Sequence, residues 1–585
     1  MKKIIIPNKL MKYLQIILMF AILFMNFGIR GAGIAYAAPG SGTDNFAGAP
    51  TITSADLPYV DLHLDTTAAT TELNEPNPII CTTALGNDIS VTPRHTVWYK
   101  YMPSSTEAVA FDTTGSDYDT FIAVWTGSFG SLSPALSPVT SCNDDTLQGQ
   151  QSAISFTATG GATYYIEIGA ATFTTFGNLT LHGALGNTTI SVAGSQKGSY
   201  YVQLNNTLEA NYASLDSGPV KISTIIGAPI IASEGMRYSP NGGVAWTNYG
   251  ETMGLPSKQL TTSYTFPWYN NVEIDSQLLF GNVGLNNTDV TVTIGGVVQN
   301  GGVPYTLTPN QGMRVSYAGV NNGPVVIQSS GENIVASLRV ADFSGSTVTN
   351  YTEMIGMPSG QLTTSYTFPY YNNVDLNSQL RFGNVGNATT KVTVKIAGNV
   401  YGPYTLAPNQ SVRMSYKNVS NGPVVVQSSG GVPIIASMRV VFWNGSAWKY
   451  FTEMMGLPTV SLSTKYVFPI YDNVTYNMQL RFGNVGTTST TVTVKVAGLT
   501  QGTYVLKPSQ SIRVSYASLN AGPVTVESSG SVKIIASKRF VYWTGTAWTG
   551  FTELMGLPAE KLDTSYYFPW YNNLDVNSQV NFGQP

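Results

Sequence analysis

The chain has 585 residues and a formal net charge of −3, and only 10% of its residues are charged, against the usual quarter or so. It lacks the clustered lysine and arginine that binding to nucleic acid requires, so that class of partner is excluded. Hydroxyl, amide and glycine residues carry its polarity instead, which is typical of an exported β-protein.

Residues 1–37 have the layout of a secretory signal peptide. Four lysines precede an apolar run over 13–27, and Ala35-Tyr36-Ala37 supplies the small-x-small cleavage pattern. A membrane anchor is the alternative, but the run is short for a span of about 20 residues. We expect cleavage, a mature chain with 24 basic and 32 acidic residues, and no membrane span in it. The expected location is extracellular, secreted or associated with the cell envelope.

Residues 44–186 form an unrepeated region of short strands. Apolar and polar residues alternate within each segment, and Gly, Asn, Asp and Pro fill the gaps, which predicts a β-sandwich. The alternating segments are 96–101, 108–112, 120–125, 153–157 and 164–168. The only two cysteines of the chain, Cys81 and Cys142, also lie here. In an exported chain they are expected to form a disulfide, with two buried thiols as the alternative.

Four motifs in this region carry a resemblance to a known family. They are Trp98-Tyr99-Lys100-Tyr101, Gly115-Ser116-Asp117-Tyr118-Asp119-Thr120, Cys142-Asn143-Asp144-Asp145 and Gly160-Gly161-Ala162-Thr163-Tyr164-Tyr165-Ile166. The region resembles the bacterial pre-peptidase C-terminal domain, over about a quarter of the chain. The resemblance implies a jelly-roll-like, non-catalytic module linked to binding, export or processing. That family usually accompanies a protease or another hydrolase, and none is evident in this sequence.

A set of acidic residues on the loops of the same region suits a hard cation. Oxygen-rich loops bind calcium, although the spacing does not match an EF-hand loop. Acids that are solvated in turns are the favoured interpretation, and no other cofactor is expected. The residues are Asp112, Asp117, Asp119, Asp144 and Asp145.

The rest of the chain consists of four similar copies of one sequence repeat. A Gly-Leu-Pro or Gly-Met-Pro motif, followed by a Phe-Pro segment, starts at Gly254, Gly356, Gly456 and Gly556. The period of about 100 residues is too long for a solenoid and is the size of a domain. Each unit holds about eight strand patterns and no helical periodicity, which predicts an immunoglobulin-like sandwich. The unit is similar to tandem β-sandwich repeats of bacterial cell-surface and secreted proteins. The predicted class is therefore all-β.

The boundaries of the repeats follow from counting their parts. Four units can be cut without remainder, at 187–284, 285–386, 387–486 and 487–585. Alternatively, each domain starts at its Phe-Pro segment and the sequence stops inside a fifth. The first copy diverges, since Glu209 stands where later copies have arginine. We expect that copy to face the N-terminal module.

The sequence offers no catalytic constellation. Histidine occurs only at His63, His95 and His182, before the repeats, and no serine-hydrolase, zinc-protease or phosphate-loop motif is present. The prediction is a protein that is not an enzyme.

One acid recurs in every copy, fourteen residues after an arginine. The pairs are Arg339 with Glu353, Arg439 with Glu453 and Arg539 with Glu553, and Arg237 with Glu251 in the first copy. Turn residues lie between them, so a β-hairpin would place the two opposite each other as a cross-strand ion pair. An exposed pair would contribute only about 0–1 kcal/mol and would mainly fix the strand register.

Tryptophans flank two of these turns: Trp443 and Trp448, then Trp543 and Trp548. Two aromatic rings across a hairpin could form a platform for a sugar ring. The favoured interpretation is an aromatic pair that stabilises the hairpin. The second repeat has Phe343 and Val348 there, which weakens the idea of one shared ligand site.

These observations predict a non-catalytic stalk or adhesive array that makes multivalent weak contacts with an extracellular polysaccharide or a cell-surface protein. Two alternatives remain open. One is the accessory region of a secreted hydrolase whose catalytic domain lies outside this sequence. The other is a carbohydrate-binding protein.

Overall fold

The computed structural model describes residues 40–585 except 58, 77–78, 83–87, 114, 136–140, 145–149, 172–175, 186–187, 201, 203–204, 225–228, 239–247, 345–346, 444–447, 544–547 and 575. The predicted signal peptide therefore lies outside the described residues. Those residues form β-strands with a few short 3-10 turns, which confirms the all-β class. None of their helices is long and apolar enough to cross a membrane.

The N-terminal module is a β-sandwich of two sheets around one apolar core. Its strands are Thr51–Thr53, Tyr59–Asp65, Ile79–Thr82, Asp88–Val91, Arg94–Met102, Glu107–Asp112, Thr120–Ser128, Ser131–Pro134, Cys142–Asn143, Ala153–Ala158, Tyr164–Ala170 and Asn178–Leu185. Cys81 and Cys142 form a disulfide between two neighbouring strands of the larger sheet. Two strands of the smaller sheet contact Ser195–Tyr200, so the first repeat does face this module.

The sheets of the repeats do not follow the boundaries 187–284, 285–386, 387–486 and 487–585. For example, a cut at 284 separates Asp275–Asn282 from both of its partner strands, Gly312–Val315 and Ile334–Ser344. Each compact unit starts instead at a Phe-Pro segment, as in the alternative phase. We name the units ring unit I (188–256 with 565–584), II (263–358), III (365–458) and IV (465–558).

Each ring unit pairs a four-stranded sheet with a longer one around its own core. The strands of unit I are Thr188–Val192, Ser195–Tyr200, Asn206–Ala210, Asp216–Ser217, Val220–Thr224, Ile231–Tyr238, Asn248–Met253, Leu255–Pro256, Ser565–Phe568, Tyr571–Asn572 and Asn577–Gln584. Those of unit II are Ser263–Phe266, Tyr269–Asn270, Asp275–Asn282, Thr288–Ile294, Val297–Val298, Tyr305–Leu307, Gly312–Val315, Asn321–Asn322, Val325–Ser329, Ile334–Ser344, Thr347–Ile355 and Met357–Pro358.

Units III and IV repeat this plan closely. The strands of unit III are Ser365–Phe368, Tyr371–Asn372, Asn377–Asn384, Thr390–Ile396, Asn399–Leu406, Ser411–Met414, Ser420–Asn421, Val424–Ser428, Ile434–Trp443, Trp448–Met455 and Leu457–Pro458. Those of unit IV are Lys465–Phe468, Tyr471–Asp472, Asn477–Asn484, Thr490–Val496, Leu499–Leu506, Ser511–Val514, Asn520–Ala521, Val524–Ser528, Ile534–Trp543, Trp548–Met555 and Leu557–Pro558.

Ring unit I is built from both ends of the repeat region. Strand Asn577–Gln584 lies between Asn206–Ala210 and Ile231–Tyr238 in the four-stranded sheet. Strand Ser565–Phe568 pairs with Val220–Thr224 in the longer sheet. The last segment of the sequence therefore completes the first domain and does not begin a fifth.

The four units form a closed ring. Their inner strands, Asn248–Met253, Thr347–Ile355, Trp448–Met455 and Trp548–Met555, contact one another in sequence, and the last contacts the first. Each unit also packs side chains on its neighbour: Phe451 of unit III joins the core of unit II, Phe551 of unit IV that of unit III, and Tyr249 of unit I that of unit IV. The expected stalk of domains in a row is therefore wrong.

The recurrent sequence motifs are explained by packing within a unit. In unit III, a Cβ added to Gly456 would lie 2.7 Å from Cζ of Phe368, so the strand can approach this buried ring only as glycine. The hydroxyl of Tyr371, in the Phe-Pro segment, donates to the carbonyl of Ser378 at 2.8 Å and accepts the N–H of Tyr416 at 2.6 Å. These motifs build the scaffold and carry no chemistry.

Candidate functional site

The four inner strands of the ring begin at the same end of it. The inner strands contact one another at matching positions: the N–H of Glu453 donates to Thr352 Oγ1 at 3.2 Å, and the N–H of Glu553 to Thr452 Oγ1 at 2.9 Å. The N–H of Glu251 points to Thr552 Oγ1 at 3.4 Å across the closing junction. At the junction of units II and III, Asn350 Nδ2 also donates to the carbonyl of Phe451 at 3.0 Å, with the same separation of 101 residues as the Glu453–Thr352 contact. The two strands therefore run in the same direction, and their N-terminal ends lie together.

The backbone of two hairpins places the predicted tryptophans opposite each other. Trp443 pairs with Trp448, and Trp543 with Trp548. The side chains of these four residues lie outside the described part of the structure, so neither the favoured stabilising pair nor the alternative sugar platform is tested. In unit III the next cross-strand pair, Phe442 and Tyr450, has its rings nearly parallel, with centroids 6.4 Å apart.

The predicted arginine–glutamate pairs are present in three units, and they are buried. The distances are 2.8 Å from Arg339 Nε to Glu353, 2.7 Å from Arg439 Nη2 to Glu453 and 2.6 Å from Arg539 Nη2 to Glu553. The arginines are 5–7% exposed and the glutamates 2–3%. The estimate for an exposed pair is therefore wrong, because these hairpin faces pack against the neighbouring unit.

Each of these glutamates also accepts a hydrogen bond from a serine two residues before its arginine: Ser337, Ser437 and Ser537. Burial by itself would raise the pKa of Glu453, but Arg381 and Arg439 outweigh it and hold that pKa below its usual value. Arg539 and Arg481 do the same for the pKa of Glu553.

The pair predicted in the first copy is not formed. Arg237 lies opposite Tyr249, and Glu251 lies opposite Gly235, because this hairpin is two residues longer than in the other copies. The guanidinium of Arg237 lies 3.4 Å from Glu209 instead. Glu251 accepts from Lys538 of unit IV at 2.9 Å, and both side chains are fully buried.

A small cavity of about 100 Å³ lies on the ring axis. It is lined at matching positions by the inner-strand glutamates and the two residues after each, which are mostly methionine. Each glutamate already binds an arginine or lysine, so the lining leaves no free carboxylate for chemistry.

A larger cavity of about 270 Å³ lies between ring units III and IV. Unit III contributes Asn372, Asp375, Leu376 and Phe442, and unit IV contributes Gln479, Arg481, Arg513, Arg539, Val541 and Phe551. Asp375 and Arg513 are exposed at its mouth, whereas Arg481 and Arg539 are buried at its base. The sequence analysis missed this site because Arg481 has its counterpart only in unit III.

The acids predicted to bind calcium are engaged separately. Asp112 lies 3.1 Å from Nδ1 of His182, Asp117 accepts from the backbone and side chain of Asn178, and Asp119 accepts from Gln150 at 3.5 Å. Asp144 is buried, and Asp145 lies outside the described residues. Across the described ranges, no three His, Cys, Asp or Glu side chains are grouped so that they could hold a metal. Calcium in these loops is the less favoured interpretation, and nothing in the described residues tests it.

The described residues thus define an all-β protein, a β-sandwich followed by a closed ring of four β-sandwich units. No family model and no curated protein sequence matches the chain. Similar solved structures include Thermotoga maritima 1070, which is 12% identical and covers 17% of this chain and 96% of its own, with a TM-score of 0.15.

Two further structures come from carbohydrate-related proteins. The tandem CBM51 modules of a family 98 glycoside hydrolase from Streptococcus pneumoniae are 10% identical, covering 47% of this chain and 91% of theirs, with a TM-score of 0.12. SGBP-B of the Bacteroides ovatus mixed-linkage glucan utilization locus is 10% identical, covering 60% of this chain and 89% of its own, with a TM-score of 0.10. At these TM-scores the likenesses carry no weight for function.

Proposed function

We propose that the protein is an exported, non-catalytic binding protein whose ring presents the ends of its four hairpins to an extracellular polysaccharide. The observation that carries the proposal is the matched contact of the four inner strands, whose N-terminal ends lie at one end of the ring. A rigid face with several weak sites binds a repetitive polymer through avidity, although no single site is strong.

The distribution of chemistry supports a binding role at the turns. Residues that recur in all units serve packing, and the acids at the inner strands are held by arginine or lysine. The hairpin ends differ between copies: Phe343 pairs with Val348 in unit II, whereas two tryptophans pair in units III and IV. Aromatic side chains present a flat apolar face together with a polar edge, which suits a sugar ring.

The experiment is retention of the purified, secreted chain on insoluble polysaccharides and on a glycan array. Trp443→Ala/Trp448→Ala and Trp543→Ala/Trp548→Ala should each weaken retention several-fold, and the fourfold variant by about 100-fold, since avidity multiplies the loss. Val400→Ala/Leu499→Ala is the matched control, because these exposed apolar residues lie on other strands.

Two outcomes would contradict the proposal. One is that no glycan retains the wild-type chain. The other is that the fourfold tryptophan variant, still folded by circular dichroism, is retained as well as the wild type. If the chain binds a cell-surface protein and no glycan, the partner is that protein and not a polysaccharide.

A further inference from the structure

The cavity between ring units III and IV ends on a buried arginine for which the described residues provide no direct ion pair, although the charge of Glu553 acts on it from a longer distance. Arg481 is 3% exposed, and within the described chain its Nε has no hydrogen-bond partner. The nearby carboxylate of Glu553 is taken by Arg539, through Nε at 3.1 Å and Nη2 at 2.6 Å. The described contact of Arg481 is with the ring of Tyr370, at 5.4 Å from the centroid. A buried charge is costly when no counter-ion bonds to it directly.

The corresponding junction between units II and III shows how such a charge is normally balanced. There Arg381 occupies the place of Arg481, and its Nη1 lies 2.5 Å from Glu453. That junction also has Glu273 and Asp342 at the positions of Asp375 and Phe442. The cavity beside Arg481 therefore has the aromatic ring of Phe442 where the other junction has the carboxylate of Asp342.

The charges around this cavity leave one positive charge unmatched. Arg481, Arg513 and Arg539 face only Glu553 and Asp375, and Arg481 lies directly opposite Arg513 on the paired strand. Like charges in that position repel each other. Burial, together with repulsion by Arg539 and Arg513, lowers the pKa of Arg481 to about 9 despite the attraction of Glu553. The pKa of Arg381 is lowered to about 9 as well, so the two junctions differ in the direct ion pair and not in this shift. A bound monoanion would supply the ion pair that Arg481 lacks.

The walls indicate what kind of monoanion fits. Leu376, Phe442, Val541 and Phe551 are apolar. The polar groups are the carboxylate of Asp375 and the amide of Gln479, since the amide of Asn372 is bonded to Asp375 and to backbone N–H groups. Guanidinium groups pair with carboxylates through two parallel hydrogen bonds. A volume of about 270 Å³ is at the small end of ligand pockets.

We propose that this cavity binds a small hydroxylated carboxylate, of the size of one sugar acid, with Arg481 as the partner of the carboxylate. The aromatic and aliphatic walls take the ring face, and Asp375 and the Gln479 amide take the hydroxyls. Arg513 at the mouth attracts the anion from solution. The site is independent of the tryptophans at the hairpin turns. The acid is either a free metabolite or a residue of an acidic polysaccharide.

The test is isothermal titration calorimetry of the full secreted chain with D-glucuronate, D-glucose, sulfate and tri-D-galacturonate. Wild type should bind a carboxylate and neither glucose nor sulfate. Arg481→Leu should weaken binding by at least about tenfold, as expected when a charge-assisted hydrogen bond is lost. It should fold, because unit II has Leu279 at this position. Arg381→Leu, at the other junction, is the matched control and should bind as wild type.

The outcomes separate the two sources of the ligand and the two proposals. Binding of glucuronate indicates a free acid, and binding of the trimer alone indicates a polymer. The fourfold tryptophan variant should still bind, so failure of the hairpin proposal leaves this one standing. The inference is overturned if no carboxylate binds, if glucose or sulfate binds as well as the acid, or if Arg481→Leu binds like the wild type.

Discussion

The ammonium group of Lys538 lies 2.9 Å from the carboxylate of Glu251, which is 287 residues away in sequence. Lys538 belongs to ring unit IV and Glu251 to ring unit I, so the pair spans the junction that closes the ring. Units II and III have Leu338 and Met438 at the position of the lysine. In its own hairpin Glu251 lies opposite Gly235, where the other units have an arginine. Lys538 of the neighbouring unit supplies the positive charge instead.

Replacing one partner of this pair should destabilise the ring more than replacing both. Lys538→Met leaves a buried carboxylate alone and should cost about 3–5 kcal/mol in the free energy of unfolding. Lys538→Met/Glu251→Gln should recover most of that loss. A double-mutant cycle by urea denaturation measures the coupling. If the two single losses simply add, the pair does not contribute as a unit.

Deleting residues 565–585 should unfold ring unit I. The deletion removes a strand from the middle of one sheet and a second from the other, and it uncovers the apolar side chains that they bury. We expect rapid proteolysis of the 188–256 segment and a strongly increased tendency to aggregate, since exposed strand edges pair with other chains. Limited proteolysis followed by mass spectrometry gives the answer. A deletion variant as resistant as the full chain would refute ring closure.

Glu453 and Glu553 should make the ring sensitive to acid, because the pKa of each is lowered in the folded state. The pKa of Glu453 is lowered in the folded state, so its contribution to stability is complete above its unfolded value of 4.5 and is lost as pH falls through the folded pKa. Glu453→Gln should therefore cost about 3–5 kcal/mol at pH 7 and flatten the stability profile below pH 4.5.

The control for this prediction is Glu527→Gln. Glu527 forms an exposed pair with Lys465 at 3.6 Å, so its loss should change the free energy of unfolding by less than about 1 kcal/mol. Chemical denaturation between pH 3 and pH 7 (roughly the range over which carboxylates titrate) compares the two variants. Equal losses in the free energy of unfolding for the two variants would show that the buried pair contributes no more than the exposed one.

Reducing the disulfide should affect the N-terminal sandwich alone. Cys81 and Cys142 are 61 residues apart, and a cross-link of that span stabilises by about 2–4 kcal/mol. Differential scanning calorimetry of Cys81→Ala/Cys142→Ala should show one transition moved to lower temperature, with the ring transition unchanged. A shift of both transitions would mean that the module and the ring unfold together.

Local features of this fold were predictable from the sequence. The alternation of apolar and polar residues predicted the all-β class. The spacing of Arg439 and Glu453 around a turn predicted that they lie opposite each other. Each inference depends only on residues that are close together in the sequence. The same reasoning failed for Arg237, since a hairpin two residues longer moves the arginine past its acid. Burial of these pairs was also missed, because the surface that covers them belongs to another unit.

By itself, the sequence determined that four similar β-sandwich units follow one N-terminal module. Only the tertiary structure decided that the last strand, Asn577–Gln584, returns to the first unit and closes a ring. Repeats with the same local pattern are compatible with an open row or a closed ring, because the pattern specifies which face is apolar and not which distant segment covers it. The partner of Glu251 and the unpaired state of Arg481 follow from that choice, since both lie where two units meet.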